Sequence, residues 1–285
     1  MLSGKIHITG ISLGCKLMIS ETIHRSSNEE RGVEDKILWT RGLTLSFGAL
    51  KAVDGVSIDV PRRKITLIIG PNGSGKTSLI NTITGVYKPQ SGSILYEGRD
   101  ITGLPPHKIN EMGIVRTFQI PQPFLRLTVL ENLLISDKDI PRTSILNNMR
   151  RRAWVSKEVE VAEKAFKILR FLNLENVWDH YAYQLSGGQL KLLELGRALI
   201  NGARLIIMDE PVAGILPTLA HTIFEYMRKA VSELGITILA IEHRLDIALR
   251  YVDYVYAMHR GKIIAWGSPE DVVNNPQVIE SYLGG

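Results

Sequence analysis

The sequence has one cysteine, Cys15, among 285 residues. A lone cysteine forms no internal disulfide, so a disulfide scaffold is excluded and a reducing compartment fits. Long apolar runs are missing too. A membrane helix needs about 18–20 such residues, and the longest runs, ITLIIG and LIIM, are strand-sized. Work at a membrane would therefore go through a partner. No internal repeat and no sustained heptads are visible, which sets aside solenoids and long coiled coils. A strong charge of one sign is also lacking. The 34 basic and 29 acidic residues leave a net charge of +5, which reads as an ordinary solvated surface and gives only weak support to an anionic membrane surface or a nucleic-acid partner; no nucleic acid is expected.

What is present is a globular chain with 45% hydrophobic residues, long enough to bury a substantial core. Residues 1–36 read as a flexible N-terminal extension, because SSNEERGVEDK is polar. The stretch before it lacks the apolar core of a signal peptide, and Met18 is an alternative start. From residue 37 the pattern is α/β. Ile37–Phe47 and Val56–Val60 read as strands split by a GALKAVDG turn region. Lys64–Gly70 reads as a strand buried on both faces. Thr77–Gly85 reads as a helix stopped by its glycine. Residues from about 120 to 184 are mostly helical patterns and read as an inserted subdomain. In it, Thr128 and Glu131 form a capping box, and Val159, Ala162, Phe166, Leu169 and Leu172 share one helix face. Asp139–Val155, with Arg150, Arg151 and Arg152 in a row, reads as a solvated connection, contact with lipid headgroups or a partner being the alternative. The core then resumes with a strand at LIIMDE, a helix, a strand at GITILAIEH and a hairpin turned at Arg260–Gly261.

Three motifs carry chemistry. Gly70-Pro71-Asn72-Gly73-Ser74-Gly75-Lys76-Thr77, followed by Ser78, fits a phosphate loop between a strand and a helix. The glycines turn successive N–H groups toward phosphate oxygens, and the helix adds its positive end. Lys76 reaches the β- and γ-phosphates of a nucleotide, and Thr77 offers a hydroxyl to Mg²⁺. Leu205–Glu210 is an apolar strand ending in two acids. Asp209 is placed to hold Mg²⁺ through water, and Glu210 to polarise the attacking water as general base. Ser186-Gly187-Gly188-Gln189 opens a helix. Alone it is a serine N-cap; beside a phosphate loop it reads as a second phosphate site.

Phosphate loop, LSGGQ and acidic strand, in this order, resemble the nucleotide-binding subunit of an ABC transporter from about Ile37 to the C-terminus. The resemblance implies a P-loop NTPase core with an antiparallel β subdomain and an inserted helical subdomain. It implies two ATP molecules clamped in a head-to-tail dimer, so that Ser186, Gly187, Gly188 and Gln189 act in trans. It carries over Phe47 as the aromatic on adenine, Gln119 as the residue touching Mg²⁺ and the water, and His243 as the switch histidine on the γ-phosphate. VRTFQ, DEPVAG, IEH and the ending NNPQVIESYLGG look like the ATP-binding subunits of branched-chain amino acid importers, the polar segment near 138–156 resembling the larger of two. The partners so implied are membrane permease subunits, a second ATP-binding subunit and, indirectly, an extracytoplasmic solute-binding protein. The expected place is the cytoplasmic face of the membrane. The ATPase of lipopolysaccharide export shares much of the pattern, and a soluble non-transport ABC ATPase is the rival from another class. Two positions depart from the family. Leu216 stands where an Asp or Asn usually follows the loop after the acidic strand, and Arg244 where Asp often follows the histidine.

Overall fold

The computed structural model describes residues 35–117, 121–138 and 151–283. The chain divides into units 1–36 and 37–285, and the second is described below. The readings made on residues 1–34, Gln119 and 139–150 lie outside the described residues.

The first half of this unit runs β1 (Lys36–Phe47), β2 (Leu50–Val56), β3 (Asp59–Pro61), β4 (Ile65–Ile69), α1 (Lys76–Ile83), β5 (Ser91–Tyr96), β6 (Arg99–Asp100), α2 (Pro106–Glu111) and β7 (Ile114–Arg116). Then follow α3 (Val129–Leu134), α4 (Arg151–Phe171), α5 (Gly187–Ile200), β8 (Leu205–Asp209), α6 (Pro217–Leu234) and β9 (Thr237–Ile241). The last elements are α7 (Leu245–Ala248), β10 (Tyr254–His259), β11 (Lys262–Gly267), α8 (Pro269–Val273) and α9 (Pro276–Leu283). One sheet is antiparallel, in the order β2-β1-β5-β6 with β3 also on β1. The other has the order β11-β10-β4-β9-β8-β7 and is parallel except at β11.

Every residue of β4, β8 and β9 is buried, as strands covered on both faces must be. Their side chains alternate between two cores. Ile65, Leu67, Ile69, Ile206, Met208 and Ile238 face one cluster with Leu133, Leu193 and Phe224 from the helices. Ile68, Ile207, Leu239 and Ile241 face another with Leu79 and Ile80 of α1 and with Leu38, Val53 and Ile94 of the antiparallel sheet. Burying each such side chain contributes about 1.5–3 kcal/mol. The antiparallel sheet is thereby fastened over α1, the helix that follows the phosphate loop.

Three local expectations change. Part of the GALKAVDG region is strand β2, paired with β1 through Leu43↔Val56, Leu45↔Val53 and Phe47↔Leu50. It is an edge strand burying only Val53 and Val56, so its composition reads as turn. Helix α4 begins at Arg151, within the stretch read as a connection. Its buried stripe is Val161, Ala165, Ile168, Leu169, with Leu172 just beyond its end, whereas Val159, about 200° from Val161 around the axis, is exposed. The capping box at α3 is present: Glu131 N donates to Thr128 Oγ1 at 3.2 Å, and Thr128 N to Glu131 Oε2 at 2.7 Å.

Candidate active site

The strands β4, β9, β8 and β7 are mutually parallel, so their C-terminal ends open on one edge of the sheet. That edge carries Gly70 after β4, Glu242 and His243 after β9, Asp209 and Glu210 at β8, and Arg116 at β7.

The phosphate loop lies close against its neighbours. Gly75 has φ +102°, and a Cβ there would stand 2.0 Å from the Ala52 carbonyl oxygen. Only glycine allows this approach. The hairpin tip between β10 and β11 holds the loop from another side, Gly261 N donating to Ser74 O at 2.9 Å and Asp54 N to Gly261 O at 2.8 Å. Helix α1 starts at Lys76 and aims its N-terminal N–H groups at the loop. The buried Lys76 ammonium donates to the carbonyl oxygens of Gly70 at 2.8 Å and Pro71 at 2.9 Å. Burial lowers its pKa, against the opposing pull of Glu210 and Asp209.

Asp209 closes β8 with its carboxylate nearly buried. Arg116 Nη2 donates to Asp209 Oδ2 at 3.1 Å, and its Nη1 donates to Asn81 Oδ1 on α1. Glu210 follows in the left-handed region, φ +49°, with its N–H on the Ile241 carbonyl at 2.9 Å. That turn brings Glu210 Oε1 to 3.2 Å from His243 Nε2. Both line a cleft of about 570 Å³ together with Phe47, Leu50, Asn72, Gly73, Gly75, Lys76, Thr77, Ser78 and Arg260. Phe47 is half-exposed and stands edge-on to Tyr87, ring centroids 5.2 Å apart.

Ser186, Gly187, Gly188 and Gln189 do not line this cleft. They form the N-terminus of α5, where Gln189 N donates to Ser186 Oγ at 3.3 Å and Ser186 N to Gln189 Oε1 at 2.9 Å. Ile215 and Leu219 pack beside Gly187 and Gly188, 3.5 and 3.4 Å from where a Cβ would stand.

Sequence reasoning left out three residues here. Arg116 lies in the VRTFQ stretch, but only the fold shows that it holds Asp209. Lys191 on α5 is buried; burial lowers its pKa, opposed by Glu194, Glu242, Glu210 and Asp209. Glu242, 2% exposed, accepts three backbone N–H groups: Val212 at 3.0 Å, His243 at 2.7 Å and Arg244 at 3.2 Å. Its signal was the acid inside IEH.

A phosphate loop leading into α1, with adjacent acids two strands over on the same parallel edge, defines a P-loop ATPase. The family model described as ABC transporter matches residues 53–213, and one described as branched-chain amino acid ATP-binding cassette transporter matches residues 262–285. The chain belongs to the ABC transporter family, as one of its ATP-hydrolysing subunits. It is 51% identical over 249 residues to a probable branched-chain amino acid transport ATP-binding protein of Archaeoglobus fulgidus, covering 87% of this chain and 96% of that protein. It is 37% identical to a high-affinity branched-chain amino acid transport ATP-binding protein of Pseudomonas aeruginosa, covering 87% and 98%. Among solved structures, an ATP-binding cassette of an ABC transporter in its ADP conformation superposes with a TM-score of 0.77 at 50% identity, covering 88% of this chain and 99% of that one.

Proposed function

We propose that this chain hydrolyses ATP through Glu210 and His243 to drive import of branched-chain or related amino acids. The observation that carries the catalytic part is the pair itself, 3.2 Å apart on the lining of a cleft that also holds Lys76 and Thr77. Glu210 accepts the proton of the attacking water. His243, whose Nε2 stands 3.2 Å from that carboxylate, orients it and contacts the γ-phosphate. Lys76 and the N–H groups of Gly73 to Ser78 bind the phosphates, with Gly70, Pro71 and Asn72 shaping the loop. Phe47 stacks on adenine.

Mg²⁺ fits the donors present. It prefers hard oxygens and takes one or two carboxylates, sharing its shell with phosphates and water. The Thr77 hydroxyl and the Asp209 carboxylate, steadied by Arg116, would hold it; Gln119, assigned a third contact by the family resemblance alone, lies outside the described residues. When bound, it neutralises charge on the phosphoryl oxygens. Ser186 to Gln189 act on the partner cassette's nucleotide, in keeping with their position away from this chain's own cleft. No helix among the described residues is long and apolar enough to cross a membrane. We place the chain on the cytoplasmic face, held there by two permease subunits and a second ATP-binding subunit, with an extracytoplasmic solute-binding protein beyond them. The names of the relatives and the match at residues 262–285 support the amino acid reading.

The test is a pull-down of tagged Glu210→Gln chain with Mg-ATP from solubilised native membranes. Two multi-spanning permease chains and a second ATP-binding chain are expected. A single exporter complex would overturn the importer while leaving the ATPase chemistry intact.

A further inference from the structure

We propose that Glu242 is a positioning residue for hydrolysis, tying the loop after the catalytic glutamate to the histidine loop. Arg244 supplies a second tie, and together they link His243 to the N-terminus of α5. The proposal rests on the catalytic reading of Glu210 and His243.

Glu242 sits between two loops that leave adjacent strands. One oxygen, Oε1, takes the N–H of Val212, in the loop that follows Glu210. The other, Oε2, takes the N–H groups of His243 and Arg244. A buried carboxylate accepting three N–H groups is well satisfied, and each donor depends on it. Displacement of the Val212 loop therefore pulls on the backbone of His243. The side chain of Arg244 crosses the same gap: Nη1 donates to the Ile215 carbonyl at 3.3 Å. Ile215 in turn packs beside Gly187. One short loop thus touches the catalytic pair through Glu242, the histidine loop through Arg244 and the start of α5 through Ile215.

This gives the two departures from the family pattern a shared account. Leu216 is 69% exposed and has no polar group to carry a signal. Arg244, two residues beyond Glu242, makes a polar contact to the neighbouring residue Ile215 instead. Communication between the α5 start and the hydrolytic pair then runs within one chain.

The experiment measures kcat, equilibrium ATP affinity and amide hydrogen exchange on the full chain as wild type, Glu242→Gln, Arg244→Met, His243→Ala and the double variant Glu242→Gln/His243→Ala. A glutamine cannot accept from all three donors. Glu242→Gln should lower kcat about 10–100-fold, the effect of small misplacement near reacting groups, with ATP affinity held within about twofold. Exchange should rise at His243 and Arg244 while β9 stays protected. In the His243→Ala background the glutamine should add nothing, because both changes act through one group. Arg244→Met, which leaves the buried carboxylate in place, should lower kcat a fewfold at unchanged ATP affinity, and it decides the matter if Glu242→Gln fails to fold. Wild-type kcat in a folded Glu242→Gln or in Arg244→Met, or an effect that multiplies with that of His243→Ala, overturns the proposal. If His243→Ala itself turns over like wild type, the catalytic reading fails and the proposal with it. A slow His243→Ala beside a normal Glu242→Gln removes only the tie.

Discussion

Replacing Gly75 by alanine tests how the phosphate loop is held. Two costs act at this position. The backbone has φ +102°, and holding a residue with a Cβ there costs about 1–3 kcal/mol. The Cβ would also stand 2.0 Å from the Ala52 carbonyl and 2.9 Å from the Met258 methyl carbon. The methyl can swing away, but the carbonyl belongs to β2 and cannot. The loop must lift from β2, and overpacking of this kind costs about 1–3 kcal/mol. Together the two terms come to about 2–6 kcal/mol, some of it relieved by movement of the loop. A domain of this size loses roughly 2–4 °C of melting temperature per kcal/mol. Lifting the loop also misdirects the N–H groups proposed to bind phosphate, each charge-assisted bond being worth about 1.5–3 kcal/mol. The expected result is a clear drop in Tm and a loss of ATP affinity of about 100-fold or more. Gly73 is the control: its φ is +76° with nothing within 4 Å of a built Cβ, so Gly73→Ala carries only the backbone term. Calorimetry and equilibrium nucleotide binding on both variants read the difference. If Gly75→Ala melts and binds ATP like Gly73→Ala, the close approach to β2 does not shape the site and the argument fails.

Glu210→Gln should keep Mg-ATP binding and lose about 10²–10⁴-fold in turnover; phosphate release at the wild-type rate would remove Glu210 as the base. Lys76→Ala should weaken nucleotide binding itself, read by equilibrium titration, and unchanged affinity would contradict the cradle. Arg116→Met should leave the Asp209 carboxylate, nearly buried in its strand, without its guanidinium partner, destabilising the fold by about 3–5 kcal/mol. It should also raise the Mg²⁺ concentration needed for ATPase activity, and an unchanged Mg²⁺ titration would refute the link. Burial pushes the Tyr96 and Tyr256 phenols up to about 12. Between the ordinary phenol pKa near 10 and 12, the unfolded chain has released protons that the folded chain keeps, so stability should fall as pH rises through that window. Alkaline denaturation with phenolate absorbance would show this, and flat stability up to pH 12 would contradict it.

The parts legible in the sequence were those whose physics is local. A glycine-rich turn between a buried strand and a helix announces itself, as does an apolar strand emptying into two acids. The capping box at Thr128 and the serine N-cap at Ser186 need only neighbours within one turn of helix. What stayed hidden depended on distant partners. Strand β2 buries only Val53 and Val56 because it is an edge, and only its pairing with β1 makes it a strand. Helix α4 begins among arginines whose chemistry reads as solvated connection. Its buried stripe was misread because Val159 looks as apolar as Val161, and only the packed neighbours choose between them. Glu242 and Arg116 are charged residues at strand ends, ordinary in composition. Their meaning comes from Val212 and Asp209, which the sheet brings to them.

The tip of the β10–β11 hairpin has a consequence for how the molecule is made. Ser74 leaves the ribosome long before Gly261, yet its carbonyl is anchored by the Gly261 amide, and β10 and β9, both far later in the chain, are the two strands that flank β4. Domains take shape from the N-terminus during synthesis, and contacts so distant in sequence form late. The nascent chain thus carries a complete phosphate-loop motif without the frame that sets it. Nucleotide capture becomes a late event of translation, and a truncated chain that stops before the hairpin displays the motif without its grip.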